Sequence, residues 1–266
     1  MNNSNIINGD CWIAYFDILG FRNVVENLDA NGVLDSYKEV LKDIRQYSDV
    51  RLKFFSDSFI FYTENDSEVS FGHMISASTT FFRGMFEKNI PLRGCLTVGQ
   101  FYVDEKEGVF FGRALIEGYD WAEGQNWIGF VLSEEAENKL GSFQTNYGTF
   151  LDILIPYNFL KYEVPYKKGI KRNLLVYNLN INSDINAPEA KREECRLWND
   201  LISMEGTAKT HLDEKIRKKG ITGLKKCMEY RNIIVKYKNT KDFLLCVYPT
   251  LKERVRNKNH QVYYES

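Results

Sequence analysis

LKFFSDSFIFYTEND occupies residues 52–66. Two aromatic, strand-like runs, LKFF and FIFYT, flank Ser56-Asp57-Ser58. Such runs predict strands buried on at least one face. Turns between strands often carry Asp, whose side chain bonds the local backbone. Asp57 is therefore either turn punctuation or a carboxylate held out on a rigid hairpin for chemistry.

The elements on either side of this hairpin set the fold class. Upstream, CWIAYFDILGF (11–21) reads as a mostly apolar strand interrupted by Asp17. Apolar residues between Val24 and Ile44 recur at helical spacing, and the Asn31-Gly32 pair is expected to divide that segment into two helices. Downstream, residues 69–88 read as a helix and PLRGCLTVGQFYV (91–103) as a strand that returns through VFFG. GRALIEGYDWAEGQ (112–125) reads as a helix, and WIGFVLSEEAENKL (127–140) as a strand running into a helix. The order β-α-β-β-α-β, then a hairpin, then α-β predicts an α/β (α+β) fold of the ferredoxin-like class, with helices packed on one face of a sheet.

Beyond residue 142 the pattern weakens. LDILIPY (151–157) and NLLVYNLNI (173–181) read as strands, the second suited to a sheet edge. Residues 180–189 are polar, and Pro188 suits the first turn of a helix. The boundary falls there, giving a first domain over 1–187 and a helical C-terminal extension over 188–266. KIRKKGITGLKK (215–226) is a basic cluster, whose ordinary meaning is a solvated helix face.

Composition narrows the partners. The 266 residues are 44% hydrophobic, enough for a substantial core. Lys and Arg total 35 against 36 Asp and Glu, so no global field calls for stable nucleic-acid or membrane binding. No apolar stretch approaches the roughly 20 residues of a membrane span. The N-terminus has no signal-peptide pattern. Five scattered cysteines without a CxxC pair suit a reduced, cytoplasmic protein. Three histidines, at 73, 211 and 260, argue against a His-based triad or a zinc centre.

In a β-α-β-β sheet the first strand and the hairpin are neighbours, which brings Asp17 and Asp57 to one edge. Two carboxylates there repel unless a cation lies between them. Hard divalent ions take oxygen ligands, and Mg2+ typically binds one or two carboxylates plus substrate phosphates. Asp17 is the harder of the two to dismiss, because an unpaired buried carboxylate inside an apolar strand is costly.

FDILGF (16–21), FSDSF (55–59), RGCLTVGQFY (93–102) and FGRALIEGYDWAEG (111–124) together resemble, in order, the motifs of class III nucleotidyl cyclases, the adenylate and guanylate cyclase catalytic domain. The resemblance implies that Asp17 and Asp57 bind two Mg2+ or Mn2+ ions, with Ile18 contributing its carbonyl. It places phosphate at the backbone of Leu19, Gly20 and Phe21, where a strand end leaves amides free. It makes Lys53, four residues before Asp57, a reader of the base, and puts Gly112 beside the substrate. An ammonium only donates, so Lys53 disfavours a guanine edge.

Departures from the family pattern are informative. Val109, at the second base-reading position, has no hydrogen-bonding side chain. Ile116 and Asp120 stand where the family has its ribose-orienting Asn and its transition-state Arg. Arg93, Arg113 and Arg22 are the candidate replacement cations. This set is similar to the pyrimidine cyclases of Pycsar antiphage systems, whose cyclic UMP or cyclic CMP activates a separate effector. The implied product comes from UTP or CTP in a homodimer with its site at the interface. A nucleotide-sensing pseudo-cyclase and a palm-type cyclic-oligonucleotide synthetase are the competing readings.

Overall fold

A computed structural model of the chain describes residues 6–21, 30–145, 148–149, 151–152, 158–179, 188–248, 251–252 and 255. β1 (Ile6–Ile18) is the spine of the sheet. Side chains alternate along it, so Trp12, Ala14, Phe16 and Ile18 share one face and Ile13, Tyr15 and Asp17 the other. The strand begins at Ile6 rather than at Cys11, because residues 6–10 pair with residues 100–104. That extension is half solvated, with Ile7 buried and Ile6 exposed, so hydrophobicity alone does not reveal it.

α1 (Ala30–Ile44) buries Tyr37, Val40, Leu41 and Ile44, an i, i+3, i+4, i+7 stripe. The helix includes Asn31 and Gly32, and the shorter helix expected before them falls on residues 22–29, outside the described residues. Packing of the stripe outweighs the roughly 1 kcal/mol helix penalty of one Gly. β2 (Arg51–Phe55) and β3 (Ser58–Tyr62) then form the hairpin, closed by the Phe55–Ser58 pair. α2 (Glu68–Glu87) starts at Ser67, whose hydroxyl accepts from the Ser70 amide at 3.2 Å. β4 (Leu92–Asp104) returns beside β1.

β5 (Val109–Phe111) folds back on β4 and leads into α3 (Arg113–Gly124). β6 (Gly129–Leu132), parallel to β4, precedes α4 (Glu134–Ser142). A small hairpin of β7 (Gln144–Thr145) and β8 (Gly148–Thr149) follows. β9 (Phe159–Pro165) and β10 (Lys171–Tyr177) complete the sheet, and α5 (Pro188–Lys219) and α6 (Gly223–Val247) form the helical extension. Among the described residues the sheet order is β2-β3-β1-β4-β6-β10-β9, with β5 paired to β4. Its first four strands are the ferredoxin-like βαββαβ arrangement, and the fold is mixed α/β.

Three expectations change. α3 packs on the Tyr15 face, since a Cβ at Gly118 would sit 3.4 Å from that of Tyr15, whereas α2 packs on the Phe16 face. Helices therefore cover both faces rather than one. The NLLVY segment lies inside the sheet, between β6 and β9. The edge belongs to FLKYEVP (159–165), whose mixed apolar and polar residues suit a half-exposed strand. Of the expected strand LDILIPY, Leu151 and Asp152 are helical and residues 153–157 lie outside the described residues.

Aromatic packing fixes the position of β1. The Phe16 ring meets those of Phe61, Phe81 and Phe130 at 5.4, 5.0 and 5.1 Å. Gly94 stands opposite on β4, where a Cβ would come within 2.3 Å of that ring. Phe16 is thus locked on the α2 face of the sheet, and the next residue, Asp17, is turned to the opposite face.

Candidate active site

Two backbone hydrogen bonds hold the end of β1. The Ile18 amide donates to the Asp57 carbonyl at 3.0 Å, and the Leu19 amide to the Pro91 carbonyl at 2.8 Å. Strand register sets Asp17 between Ser58 on β3 and Arg93 on β4. In the hairpin turn, Ser56 takes the positive φ of 59°, while Asp57 keeps an ordinary backbone. The turn geometry therefore does not require Asp at position 57.

Asp17, Ile18, Leu19, Gly20, Phe21, Asp57 and Arg93 line one cavity of about 470 Å³. Tyr15, Ser58, Tyr119, Glu123 and Lys236 complete its described lining. The Tyr15 hydroxyl and the Ser58 hydroxyl lie 2.6 Å apart, and the Tyr15 ring meets Tyr119 edge-on at 5.6 Å. Gly20, with φ of 77°, turns the chain out of the strand at the rim.

Arg93 is 6% exposed and organises the charges. Its Nε donates to Asp17 Oδ2 at 2.7 Å, and Nη2 lies 2.7 Å from the same oxygen in the ion pair. Nη1 donates to the carbonyls of Glu123, at 2.9 Å, and Gln125, at 3.3 Å. The Glu123 carboxylate pairs with Arg93 and with Lys167. Burial pushes the Asp17 carboxyl up from its ordinary value; Arg93 opposes that rise and the Asp57 charge adds to it. Burial also lowers the Lys236 ammonium to about 8, helped by Arg93 and Lys167 and opposed by Asp17.

The remaining expected residues lie elsewhere. Lys53 places its Nζ 5.2 Å from the centre of the Phe110 ring, and Val109 is on the same β5 strand. Neither lines the Asp17 cavity. Gly112 is explained by packing, because a Cβ there would meet the Gln100 carbonyl at 2.5 Å. Arg113 is exposed on α3 and pairs with Glu117. Ile116 and Asp120 are exposed on the same helix. Arg22 lies outside the described residues. The Leu19 amide, expected to be free for phosphate, is taken by Pro91.

Five lining residues escaped the sequence reading. Tyr15 shares the face of Asp17 by the two-residue period of β1, and Ser58 directly follows Asp57; both signals were present in the sequence. Glu123 follows Tyr119 by one helical turn. Lys236 arrives from α6, more than 200 positions after Asp17 in a chain of 266, and only tertiary packing brings it there.

The Asp17 and Asp57 side chains that line this cavity are oxygen donors of the kind a hard divalent ion takes, and Ile18 lines it with them. Among the described residues no group of three or more His, Cys, Asp or Glu side chains is placed to hold a metal. Remaining ligands would come from substrate phosphate and water, as Mg2+ favours. No described helix is long and apolar enough to cross a membrane.

No family model matches the chain, and no curated protein does. Solved structures include similar chains. The catalytic core of a rhodopsin-guanylyl cyclase with converted specificity, in complex with ATPalphaS, is 10% identical with a TM-score of 0.46, covering 65% of this chain and 98% of that one. The adenylyl cyclase CyaB from P. aeruginosa is 12% identical with a TM-score of 0.43, covering 65% and 94%. The guanylate cyclase domain of RhGC from Catenaria anguillulae, in complex with GTP, is 10% identical with a TM-score of 0.43, covering 63% and 96%.

Proposed function

We propose that this chain is a metal-dependent nucleotidyl cyclase that converts a nucleoside triphosphate to a 3′,5′-cyclic mononucleotide and pyrophosphate. The observation that carries the reading is the convergence of Asp17 and Asp57, from adjacent strands, on one cavity with a buried arginine beside them. A purely structural hairpin has no need of that arrangement. Two Mg2+ or Mn2+ ions held by Asp17, Asp57 and the Ile18 carbonyl would acidify the ribose 3′-hydroxyl and neutralise the triphosphate.

The chain's own residues position and shield. The 3′-oxygen forms a bond to the α-phosphorus as the bond to the β-phosphate oxygen breaks, and the hydroxyl proton leaves to solvent. Arg93 keeps Asp17 oriented and ionised against the effect of burial. Tyr15 and Ser58 form the wall beside Asp17. Leu19, Gly20 and Phe21 form the rim, with Gly20 allowing close approach of the chain to a ligand. No protein nucleophile enters, so catalysis is positioning and charge stabilisation.

UTP or CTP is the favoured substrate. Lys53 offers only a donor, and Val109 offers no hydrogen bond to a purine-type second contact. The separation of these residues from the Asp17 cavity supports a head-to-tail homodimer. One copy supplies Lys53, Val109 and the Gly112 turn, and the other supplies the carboxylates. Arg113, exposed on α3, is then available to a second copy. A cytoplasmic second-messenger role in antiphage signalling, with a separate effector for the cyclic nucleotide, follows from the Pycsar resemblance alone.

A second reading has its own observation. Arg93 already satisfies one oxygen of Asp17, as an internal cation would in a pseudo-cyclase that binds nucleotide without turnover. Incubation with each of the four nucleoside triphosphates and Mn2+ or Mg2+, with products identified by mass spectrometry, separates the readings. A cyclic mononucleotide from one substrate supports the cyclase. Dinucleotide products identify an oligonucleotide synthetase, and binding without products identifies the pseudo-cyclase.

A further inference from the structure

We infer that Lys236, delivered by the C-terminal helix α6 of the same chain, is the cation that meets the β- and γ-phosphates in the Asp17 cavity. This rests on the cyclase reading and deepens it, because it assigns the helical extension a part in substrate binding.

Of the cation candidates named from the sequence, Arg93 and Arg113 lie among the described residues, and both leave that role open. Arg93 lines the cavity, but its Nε, Nη1 and Nη2 are all engaged, by Asp17, by Glu123 and by two main-chain carbonyls. It is a positioning residue. Arg113 is outside the cavity and paired to Glu117. Lys236 differs from both. It lines the cavity, and among the described residues its ammonium has no ion-pair or hydrogen-bond partner. A partly buried, unpaired ammonium calls for an anion, and a triphosphate brings one.

The helix is docked so as to fix that ammonium. Thr240 Oγ1 accepts from the buried Ile128 amide at 2.9 Å and donates to the Lys236 carbonyl at 3.0 Å. Asn239 Nδ2 donates to the Asn126 carbonyl at 2.8 Å. Phe243 packs edge-on against Trp127 at 4.9 Å and against Tyr162 at 4.9 Å. These anchors fall within the two turns after Lys236. They grip residues 126–128, next to the Glu123 and Gln125 carbonyls that hold Arg93. One rigid joint thus sets Lys236 and Arg93 relative to each other.

The test uses the full chain and two readouts, calorimetric binding of inorganic pyrophosphate with Mn2+, and steady-state kinetics. Lys236→Ala is expected to weaken pyrophosphate binding and to raise KM by about tenfold, the size of one charge-assisted hydrogen bond. Lys236→Arg should restore both, and the melting temperature of each variant should not fall below wild type. If Lys236→Ala fails to fold, Lys236→Met takes its place, since its stem fills the same space. Pyrophosphate binding unchanged in the variant, or absent in wild type, overturns the inference. Wild-type protein that binds pyrophosphate through Lys236 yet turns over no triphosphate would instead defeat the cyclase reading and leave the assignment of Lys236 standing.

Discussion

Asp17 and Arg93 face each other across β1 and β4, and one carboxylate oxygen, Oδ2, takes both guanidinium contacts at 2.7 Å. The pair is a register partnership as much as an ion pair. Shifting β4 by one residue would turn Arg93 to the Phe16 face. Gly94, which seats the Phe16 ring, fixes that register. Packing on one face of the sheet thus sets the electrostatics on the other.

Replacement of Arg93 tests this directly. Arg93→Met leaves Asp17 without its buried counter-ion, while Glu123 keeps Lys167, and should destabilise the fold by about 3 kcal/mol. Arg93→Lys keeps the charge, loses the two-point contact and should cost less. Chemical denaturation of the three proteins at one pH gives the order.

Lys236 should make stability rise with pH. Its folded value of about 8 is below the ordinary 10.5, so the folded state binds the proton less well than the unfolded chain. The penalty is full below about pH 8, falls away between 8 and 10.5, and is absent above. Lys236→Met removes it, so at neutral pH the variant should be more stable, by up to about 3 kcal/mol. The difference should close toward pH 10.5. Thermal melts across pH 7 to 10.5 check the sign; a variant less stable at pH 7 contradicts it.

The hairpin separates turn from chemistry. Ser56 carries the left-handed φ of 59°, so Ser56→Gly relieves strain and should gain up to about 1 kcal/mol, with turnover unchanged. Loss of activity in that variant would mean that the Ser56 side chain, and not only the backbone, serves the site.

Docking of α6 hangs on a buried hydroxyl. Thr240→Val leaves the Ile128 amide without a partner, at a cost of about 1–3 kcal/mol. Hydrogen exchange should accelerate at Ile128, and Lys236 should lose its hold on pyrophosphate in proportion.

Much of this was legible in the sequence. Aromatic runs around Ser56-Asp57-Ser58 gave the hairpin, and the lone carboxylate in IAYFDILGF gave Asp17, because a charge in an apolar strand demands a reason. Pairing was less accessible. That Arg93 falls opposite Asp17 depends on the register of two long strands, and local pattern does not encode it. β9 stayed unread because its alternation of apolar and polar residues resembles a loop when no partner strand is known. Lys236 was hidden more deeply. Its helix is held by hydrogen bonds to main-chain atoms of residues 126 and 128, and any sequence presents those atoms.

In the proposed reaction Asp17 and Asp57 act as one unit on a nucleoside triphosphate. Cyclic-nucleotide formation by wild type, Asp17→Asn, Asp57→Asn and the double variant, each with Mn2+ and shown to be folded, tests it most directly. Residues that act together are not additive, so each single variant should lose about a thousandfold or more and the double should lose no more than either. Single variants that retain activity, or losses that simply add, would contradict a shared carboxylate site.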